Sequence, residues 1–527
     1  MLFLASKPNF LGGEFSLFRN QLVKGGSHKD GIDLVGEVRP MKQTNTTEIN
    51  QSLLSYYKRV GLYDTLKLDL YFNESVGNSY DGVLYLPAKL DPQLCLPKFK
   101  KYFPKRRDIN QNDWDLALEW VYEHYSSLGV HKVIPNNKLR SYILENCDPE
   151  SLEGSSGFCF PGVSKGDFIE NTFEIYDRFS KQFSFSPVSP WRLFIKEELR
   201  EGQKVSENPS SRVIWGSGVI LFIAQVSLFK EIQDHFVLNH RDFWSSCGLN
   251  FSGSEYGLAM SKFANRKVNS VDGSSFDASM QEQDLLDLFV LWDKMIDSRY
   301  KDEEYYSKLA YVMSNDIYSL AVMPNGYCAF KGCGNATGSY LTLMRNTFHN
   351  FRLYAYVYIR QCRKLSRKPI YSEYVSTHFG LMNGDDCIIT SSKFMNWCAI
   401  KEHMGNFLEL TTFEINGKYE HPLWEVSYCG CTALLDENEN IVPLRDSYKF
   451  FLALLFMGSD DKLSERCIGY IVANPFDDLF VTVITSFMKE NNMSIPDIPY
   501  IRSSYFYKEV LCNPDPPKIK YEATYKS

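Results

Sequence analysis

The segment Leu381-Met-Asn-Gly-Asp385-Asp386-Cys-Ile-Ile-Thr390 constrains this chain more than any other. Strand-forming apolar residues flank an Asn-Gly pair, and that pair tolerates the positive φ of a tight hairpin turn. The hairpin would hold two adjacent carboxylates at its tip, where like charges repel and a turn needs neither. A divalent cation that prefers hard oxygen ligands would offset the repulsion. Taken alone, Gly-Asp-Asp is more often an acidic turn, so its meaning depends on what else the chain brings near it.

Upstream, Val271-Asp272-Gly-Ser-Ser-Phe-Asp277 places a carboxylate at the end of a short strand, ahead of a helical pattern over 280–296. If that strand lies beside the 381–390 hairpin, Asp272 and Asp385 share a pair of cations. Two metals held by carboxylates activate a hydroxyl nucleophile and stabilise a phosphate leaving group. Between the two acidic sites runs Gly332-Cys-Gly-Asn-Ala-Thr-Gly338-Ser339-Tyr-Leu-Thr342-Leu-Met-Arg-Asn346, a glycine-rich loop entering a long helix over 339–362. Thr342 and Asn346 are one helical turn apart and share a face that would offer a hydroxyl and an amide to a sugar. The bland alternative is a helix cap with two incidental polar residues.

Cations recur every fourth residue at Arg192, Lys196, Arg200 and Lys204, followed by Arg212. Glu197 and Glu201 interleave, as on a solvated helix. Gly202, Asn208 and Pro209 argue instead for a loop that aims cations at a ligand. A second basic run, Lys98-Phe-Lys-Lys-Tyr-Phe-Pro-Lys-Arg-Arg107, suits phosphate contact with base stacking as well as it suits a surface loop. Residues 109–126 read as a capped amphipathic helix, 151–166 as a loop and 444–512 as a mostly helical lobe.

Composition sets the frame for these sites. A chain of 527 residues exceeds one compact core, with 44% apolar and 23% charged residues as in globular proteins. The net charge of −7 excludes a histone-like nucleic-acid binder and requires any electropositive surface to be local. Thirteen cysteines show no repeating spacing, so reduced thiols are expected rather than a zinc site or a disulfide framework. No secretory signal is visible. The apolar stretch Val213 to Phe229 is interrupted by Gly216, Ser217, Gly218 and Gln225, and reads as buried core rather than a membrane span.

In order and combination, these motifs resemble motifs A, B and C of viral RNA-dependent RNA polymerases of positive-strand RNA viruses: Asp272-x4-Asp277, then Gly338-x3-Thr342-x3-Asn346, then Gly384-Asp385-Asp386. Lys196, Arg200, Lys204 and Arg212, within 194–214, look like motif F of the picornavirus-like group. Gly154-Ser-Ser-Gly157 with Pro161-Gly162 is similar to motif G. Thr337-Gly-Ser-Tyr-Leu-Thr342 and Ser227-Leu-Phe lean towards the sobemovirus-like members. The resemblance covers roughly 150–435. Thr337 stands where the family commonly has Ser, and Asn383 where many members have Tyr.

The resemblance implies an α+β right hand of fingers, palm and thumb, with an antiparallel palm sheet flanked by helices. Residues 1–265 would form an N-terminal extension and the fingers, 266–435 the palm with a fingers insertion around 298–330, and 436–527 the thumb. Asp272, Asp385 and Asp386 would hold two Mg2+ or Mn2+ ions. Asp277, Gly338, Ser339, Thr342 and Asn346 would bind the nucleotide and sense its 2′-hydroxyl, and the motif F cations would steer triphosphate and template. Lys418 is the candidate general acid, with Lys401 its rival. Trp424-Glu-Val-Ser-Tyr428-Cys-Gly430 is similar to motif E, a hairpin that would grip the primer.

Expected partners are an RNA template, a primer or product strand, nucleoside triphosphates and other viral replication proteins. A protein primer and de novo initiation are both compatible with the chain. The expected location is the host cytoplasm, at membrane-associated complexes reached through partners. A two-metal nuclease would use the same carboxylates, but none of the nine His residues falls within the three core motifs. A non-catalytic RNA-binding protein would not need all three aspartates. For a reverse transcriptase, Asp277 with Asn346 points to ribonucleotides instead.

Overall fold

The hairpin forms, and it makes one edge of a five-stranded antiparallel sheet. A computed structural model describes residues 7–8, 13–41, 49–68, 85–87, 92–103, 107–196, 198–201, 212–412, 420–456 and 462–504. The sheet contains β1 (Lys267–Ser274), β2 (Gly380–Asn383), β3 (Asp386–Thr390), β4 (Glu409–Thr412) and β5 (His421–Pro422). Its order is β2-β3-β1-β4, with β5 also on β1, and every pairing is antiparallel. Strand register follows the apolar pattern. Met382, Cys387 and Ile389 enter a core that also holds Phe348, Phe351 and Tyr354 of the helix α2 introduced below.

One long helix packs on this sheet and a second packs on that helix. α1 (Glu282–Lys294) starts at Gln281, whose backbone N–H donates to Asp284 Oδ2 at 2.8 Å. α2 (Thr342–Lys364) is buried along most of its length. The polar residues Arg345, Asn346, Thr347, Asn350 and Arg352 lie among its buried residues. Buried polar side chains of this kind must be hydrogen-bonded, and their partners define the site described below.

A second, six-stranded sheet joins distant parts of the chain. Its strands include Gly36–Val38, Pro190–Ile195, Val213–Gly216, Leu320–Val322 and Tyr327–Phe330. Residues 320–330 therefore pair with strands of the N-terminal half, although they follow α1 in sequence. Where it is described, the motif F region is extended rather than helical: it runs as strand Pro190–Ile195, strand Leu199–Glu201 and strand Val213–Gly216, so the spacing of Arg192, Lys196 and Arg200 is not that of one helix face.

Helix Val219–Leu238 follows and is buried from Val219 through Lys230. Among the described residues no helix is long and apolar enough to cross a membrane. The twelve described cysteines are all free thiols.

The C-terminal part is helical: Ser447–Phe456, Leu463–Ala473, Asp478–Glu490 and Ile498–Ser503. Its core is completed from the other end of the chain. Leu53, Tyr57 and Leu62 pack with Phe451, Leu455, Phe480 and Phe487. Tyr57 Oη donates to the Phe451 carbonyl at 3.2 Å and Tyr56 Oη to the Val483 carbonyl at 3.1 Å. Residues 49–68 thus belong physically with the C-terminal lobe rather than with the rest of the N-terminal half.

Where it is described, the basic run 98–107 turns Phe99 and Tyr102 inward, away from any stacking role, and leaves Lys100 and Lys101 exposed. Phe99 and Tyr102 are buried against Trp215. Arg107 is partly buried and pairs with Asp284 at 2.7 Å. Burial alone would raise the Asp284 carboxyl, but Arg107, His349 and Arg352 outweigh it and hold that carboxyl below the usual range.

Glu14 is fully enclosed where the N-terminal helix Gly13–Arg19 meets the start of Val219–Leu238. Tyr311 Oη donates to its Oε2 at 3.4 Å, and the Cα of Gly218 leaves the room its other oxygen occupies. Burial pushes its carboxyl up to about 7. A carboxyl raised on folding makes the native state bind more protons than the unfolded chain, so its contribution falls as pH rises from about 4.5 to about 7. Glu14→Gln removes that term. Its melting temperature should therefore fall less than the wild-type value between pH 5 and 8, as measured by thermal denaturation; parallel profiles would reject the assignment.

Candidate active site

Strand register brings the acidic motifs together. Cys387 pairs with Val271 across β3 and β1, so the next step sets Asp386 level with Asp272. Asn383 pairs with Asp386, leaving Gly384-Asp385 as the two-residue turn of the β2–β3 hairpin. Gly384 has φ of 65°, the conformation a tight hairpin needs and glycine adopts without strain. The turn is therefore Gly-Asp rather than Asn-Gly. Asn383 ends a strand, with its amide set between Cys247 and Cys429.

Helix α2 fixes that turn. Thr347 Oγ1 accepts from the Gly384 amide at 3.0 Å, and Asn350 Nδ2 donates to the carbonyls of both Gly384 and Asp385 at 3.0 Å. Asp385 and Asp386 are exposed at the tip, yet the surrounding protein thins the water about them. This partial desolvation, together with the negative charge of Asp272, raises Asp385. Desolvation followed by the charges of Asp385 and Asp272 pushes Asp386 up to about 6.

Such a cluster of repelling, hard oxygen donors fits divalent cations in the chemistry of its ligands. It is not a finished cage: among the described residues, no three His, Cys, Asp or Glu side chains are grouped closely enough to enclose a metal ion. Magnesium in phosphoryl-transfer sites is commonly held by one or two carboxylates plus waters and substrate phosphates. The open arrangement of Asp272, Asp385 and Asp386 matches that mode of binding.

Behind Asp272, the chain turns through Ser275 at φ of 56° into the short helix Phe276–Ser279. Asp277 Oδ1 accepts from Asn346 Nδ2 at 2.9 Å and from Asn335 Nδ2 at 3.2 Å. Asn335 Nδ2 also donates to Asn346 Oδ1 at 2.9 Å. Arg345 donates to Asn335 Oδ1 and pairs with Asp316, all within the interior. Burial is the main reason the Asp277 carboxyl is pushed up to about 6, against the opposing hydrogen bond from Asn346. Asn335, Arg345 and Asp316 were not singled out from sequence. Asn335 carried a signal in its place in the glycine-rich loop, but the Arg345–Asp316 pair joins separate helices and had none.

The other loop residues act mainly on the protein itself. Thr342 Oγ1 donates to the Ala336 carbonyl at 2.8 Å, closing the loop onto the helix start. Ser339 is buried and accepts from Gln225 Nε2 at 3.0 Å. Gly338 lies flat against the preceding strand: a Cβ there would stand 1.8 Å from the Trp215 carbonyl oxygen. Thr337 Oγ1 accepts from the Trp215 amide at 3.1 Å, so the departure from Ser keeps the hydroxyl in use.

Of the motif F cations, Arg212 faces the acidic site. Its guanidinium binds Glu198 with contacts of 2.8 and 3.3 Å, and the charges of Asp385 and Asp277 also act on it. Hydrogen bonding to Glu198 is the main reason its pKa is raised. Lys196 Nζ stands 3.6 Å from Glu198, and its amide donates to the Arg212 carbonyl at 2.8 Å. Glu198 thus gathers two cations, a role not read from sequence. Arg200 pairs through its backbone with Leu86, while its side chain, like Lys204 and Lys418, lies outside the described residues. Lys401 is exposed on the helix Trp397–Met404.

The glycine-rich loop at 154–157 packs on the start of Val219–Leu238, whose Val219 amide donates to the Ser156 carbonyl at 2.9 Å. The 424–431 segment forms a hairpin whose turn residues, Cys429 and Gly430, have φ of 50° and 70°. Tyr428 Oη and Ser246 Oγ hydrogen-bond at 2.6 Å, anchoring it beside the main sheet.

Comparison with known proteins agrees with this geometry. The chain is similar to Genome polyprotein 1 of Barley mild mosaic virus (strain Na1), at 26% identity over 172 residues. That stretch is 32% of this chain and 7% of the polyprotein, so the chain spans a small part of that relative. The family model for viral RNA-dependent RNA polymerase matches residues 141–457, which is more than half of the chain and contains both acidic motifs, the loop between them and the Glu198–Arg212 pair. On that match, and with its carboxylates assembled on one sheet, the chain belongs to the viral RNA-dependent RNA polymerase family.

Proposed function

We propose that the chain extends an RNA strand by template-directed nucleotidyl transfer, the 3′-hydroxyl attacking the α-phosphate of a nucleoside triphosphate with loss of pyrophosphate. The observation that carries this reading is the register of β1 and β3, which sets Asp272 beside Asp386 and the Gly384-Asp385 turn. Two Mg2+ or Mn2+ ions bound there would lower the pKa of the attacking hydroxyl and neutralise charge on the phosphates. Asp272 and Asp385 are the proposed main ligands, with Asp386 next to them.

Arg212 and Lys196, gathered by Glu198, would receive the triphosphate, and Arg200 and Lys204 would extend that positive surface towards the template. Asp277 would accept a hydrogen bond from the ribose 2′-hydroxyl, with Asn346 and Asn335 holding its carboxyl in place. Gly338, Ser339 and Thr342 would shape the floor beneath the sugar. Lys418 is proposed as the proton donor to the departing pyrophosphate. In this reading 266–435 is the palm, 436–527 the thumb, and the N-terminal half the fingers together with residues around 298–330. Residues 49–68 buttress the thumb. The Cys429-Gly430 turn would meet the primer strand. The chain would act in the host cytoplasm with other viral replication proteins, which supply any membrane attachment.

Three outcomes test these roles. Primer extension with Mg2+ and template RNA should fall about a thousandfold in Asp385→Ala, the loss of several kcal/mol of charge stabilisation; extension that survives would reject the metal assignment. Asn346→Ala and Asn335→Ala should each narrow the preference for ribonucleotides over deoxyribonucleotides by about tenfold, as when one hydrogen bond to a charged group is lost; competing-substrate kinetics would read the ratio. Gly338→Ala should abolish extension and also lower the melting temperature, because the added methyl meets the backbone carbonyl of buried Trp215 and must push the loop off that strand. Full activity in that variant would show that close approach to be dispensable.

A further inference from the structure

At the opposite end of β1 from Asp272, the sheet surrounds an open bowl of about 590 Å³. Arg266 and Lys267 line it at the start of β1, and Thr390, Ser391, Ser392 and Lys393 at the end of β3. Lys267 and Asp272 are five strand positions apart, roughly 17 Å at the usual rise per residue. The bowl is thus separate from the acidic site while sharing two of its strands.

Three features single this bowl out. The first is charge: Arg266, Lys267 and Lys393 face one carboxylate, Glu420, in a chain whose overall charge is −7. The second is that, among the described residues, none of the three cations makes an ion pair. Nearby cations do: Arg241 pairs with Glu255, Arg367 with Glu373, and Lys364 with Glu402. Three like charges around one concavity repel each other, and among the described residues Glu420 is the one carboxylate that lines it. The third is a built frame. Ser392 Oγ is hydrogen-bonded to His378 Nε2 at 2.6 Å and accepts from the amides of Phe394 and Met395 at 3.1 Å each. His378 is itself buried and meets Thr377 Oγ1 at 2.9 Å through Nδ1. Asn396 Oδ1 accepts from Ala399 N at 2.9 Å. These bonds hold the loop carrying Lys393 opposite Arg266 and Lys267, with the Ser391 hydroxyl at the same wall.

We infer that this bowl is a second anion site, which binds a compact phosphorylated group carrying at least two negative charges, either free polyphosphate or the phosphorylated headgroup of a lipid. Several cations and a hydroxyl around one concavity match the tetrahedral, multiply charged oxygens of such a group. The volume falls in the range of small-molecule pockets. A nucleic-acid strand would instead use a row of phosphate contacts along a groove. This inference does not rest on the polymerase reading, and its failure would leave that reading intact.

The test uses the full chain and inorganic pyrophosphate, titrated by calorimetry in EDTA so that no divalent ion assists the acidic site. Saturable binding should weaken about a hundredfold in Arg266→Glu/Lys393→Glu, at about tenfold for each lost charge-assisted contact, and should persist in Arg212→Ala. If the doubly charge-reversed chain fails to fold by melting temperature, Arg266→Gln/Lys393→Gln takes its place. A parallel flotation assay uses phosphatidylcholine vesicles with and without a phosphoinositide. Capture that needs the phosphoinositide, is displaced by pyrophosphate and is lost in the double variant assigns the lipid headgroup. Pyrophosphate binding without capture assigns the free polyphosphate. Binding in neither assay, undiminished binding by the double variant, or loss of binding in Arg212→Ala would overturn the site.

Discussion

Everything at this site answers one constraint: several carboxylates must be held close together in surroundings that only partly hydrate them. At a separation of 4 Å, two unit charges interact by about 1–4 kcal/mol between bulk water and a protein surface. Asp272 acts on Asp385 and Asp386, and Asp385 acts on Asp386 and Asp277; Asp277, Asp385 and Asp386 are raised by burial and by this repulsion. A flexible loop would relieve that repulsion by moving. The antiparallel ladder of β1 and β3 does not permit this, because a slip of one residue would turn Val271 and Cys387 out of the core. Apolar burial beneath the sheet therefore holds the anions together above it.

The rigidity is extended by α2. One helix grips the Gly384-Asp385 turn through Thr347 and Asn350, and one turn earlier it holds Asp277 through Asn346. Arg345, between Thr342 and Asn346, reaches back to Asn335 and Asp316. In the proposed reading, metal-ligand geometry and sugar selection would thus be set by successive turns of the same element. A buried charge pair such as Arg345–Asp316 adds little net stability, so its value here lies in fixing where Asn335 points.

The parts legible in the sequence were those with local causes. The hairpin declared itself through a glycine and flanking apolar runs, the helix over 111–124 through a cap and periodicity, that over 282–294 through its apolar face, that over 342–364 as the run after the glycine-rich loop, and the C-terminal lobe through helical patterns broken by Asn and Pro. What sequence did not give was pairing between remote segments. Nothing local says that residues 49–68 cover the C-terminal helices, or that Arg107 reaches Asp284. The basic run misled because composition cannot tell a stacking aromatic from a buried one: Phe99 and Tyr102 pack on Trp215. Asn383 misled because a two-residue turn has two possible frames, and pairing with Asp386 chose the one that puts Asp385 in the turn.

The same reasoning separates residues that meet substrate from residues that shape the place where substrate sits. Spacing put Thr342 and Asn346 on one helical face, and the family resemblance added Ser339. In the folded chain, Thr342 donates to Ala336, Ser339 accepts from Gln225, and Asn346 alone reaches Asp277. A hydroxyl whose proton is already given to a backbone carbonyl has only lone pairs left for a ligand. A donor role towards the sugar is therefore closed to Thr342 unless the loop over 336–342 opens. The approach of Gly338 to the Trp215 carbonyl ties that loop to the strand following Arg212. If Arg212 receives the triphosphate and the loop meets the sugar, as proposed, this close approach would couple the two. A nucleotide drawn in by Arg212 would bear on the loop that checks its ribose.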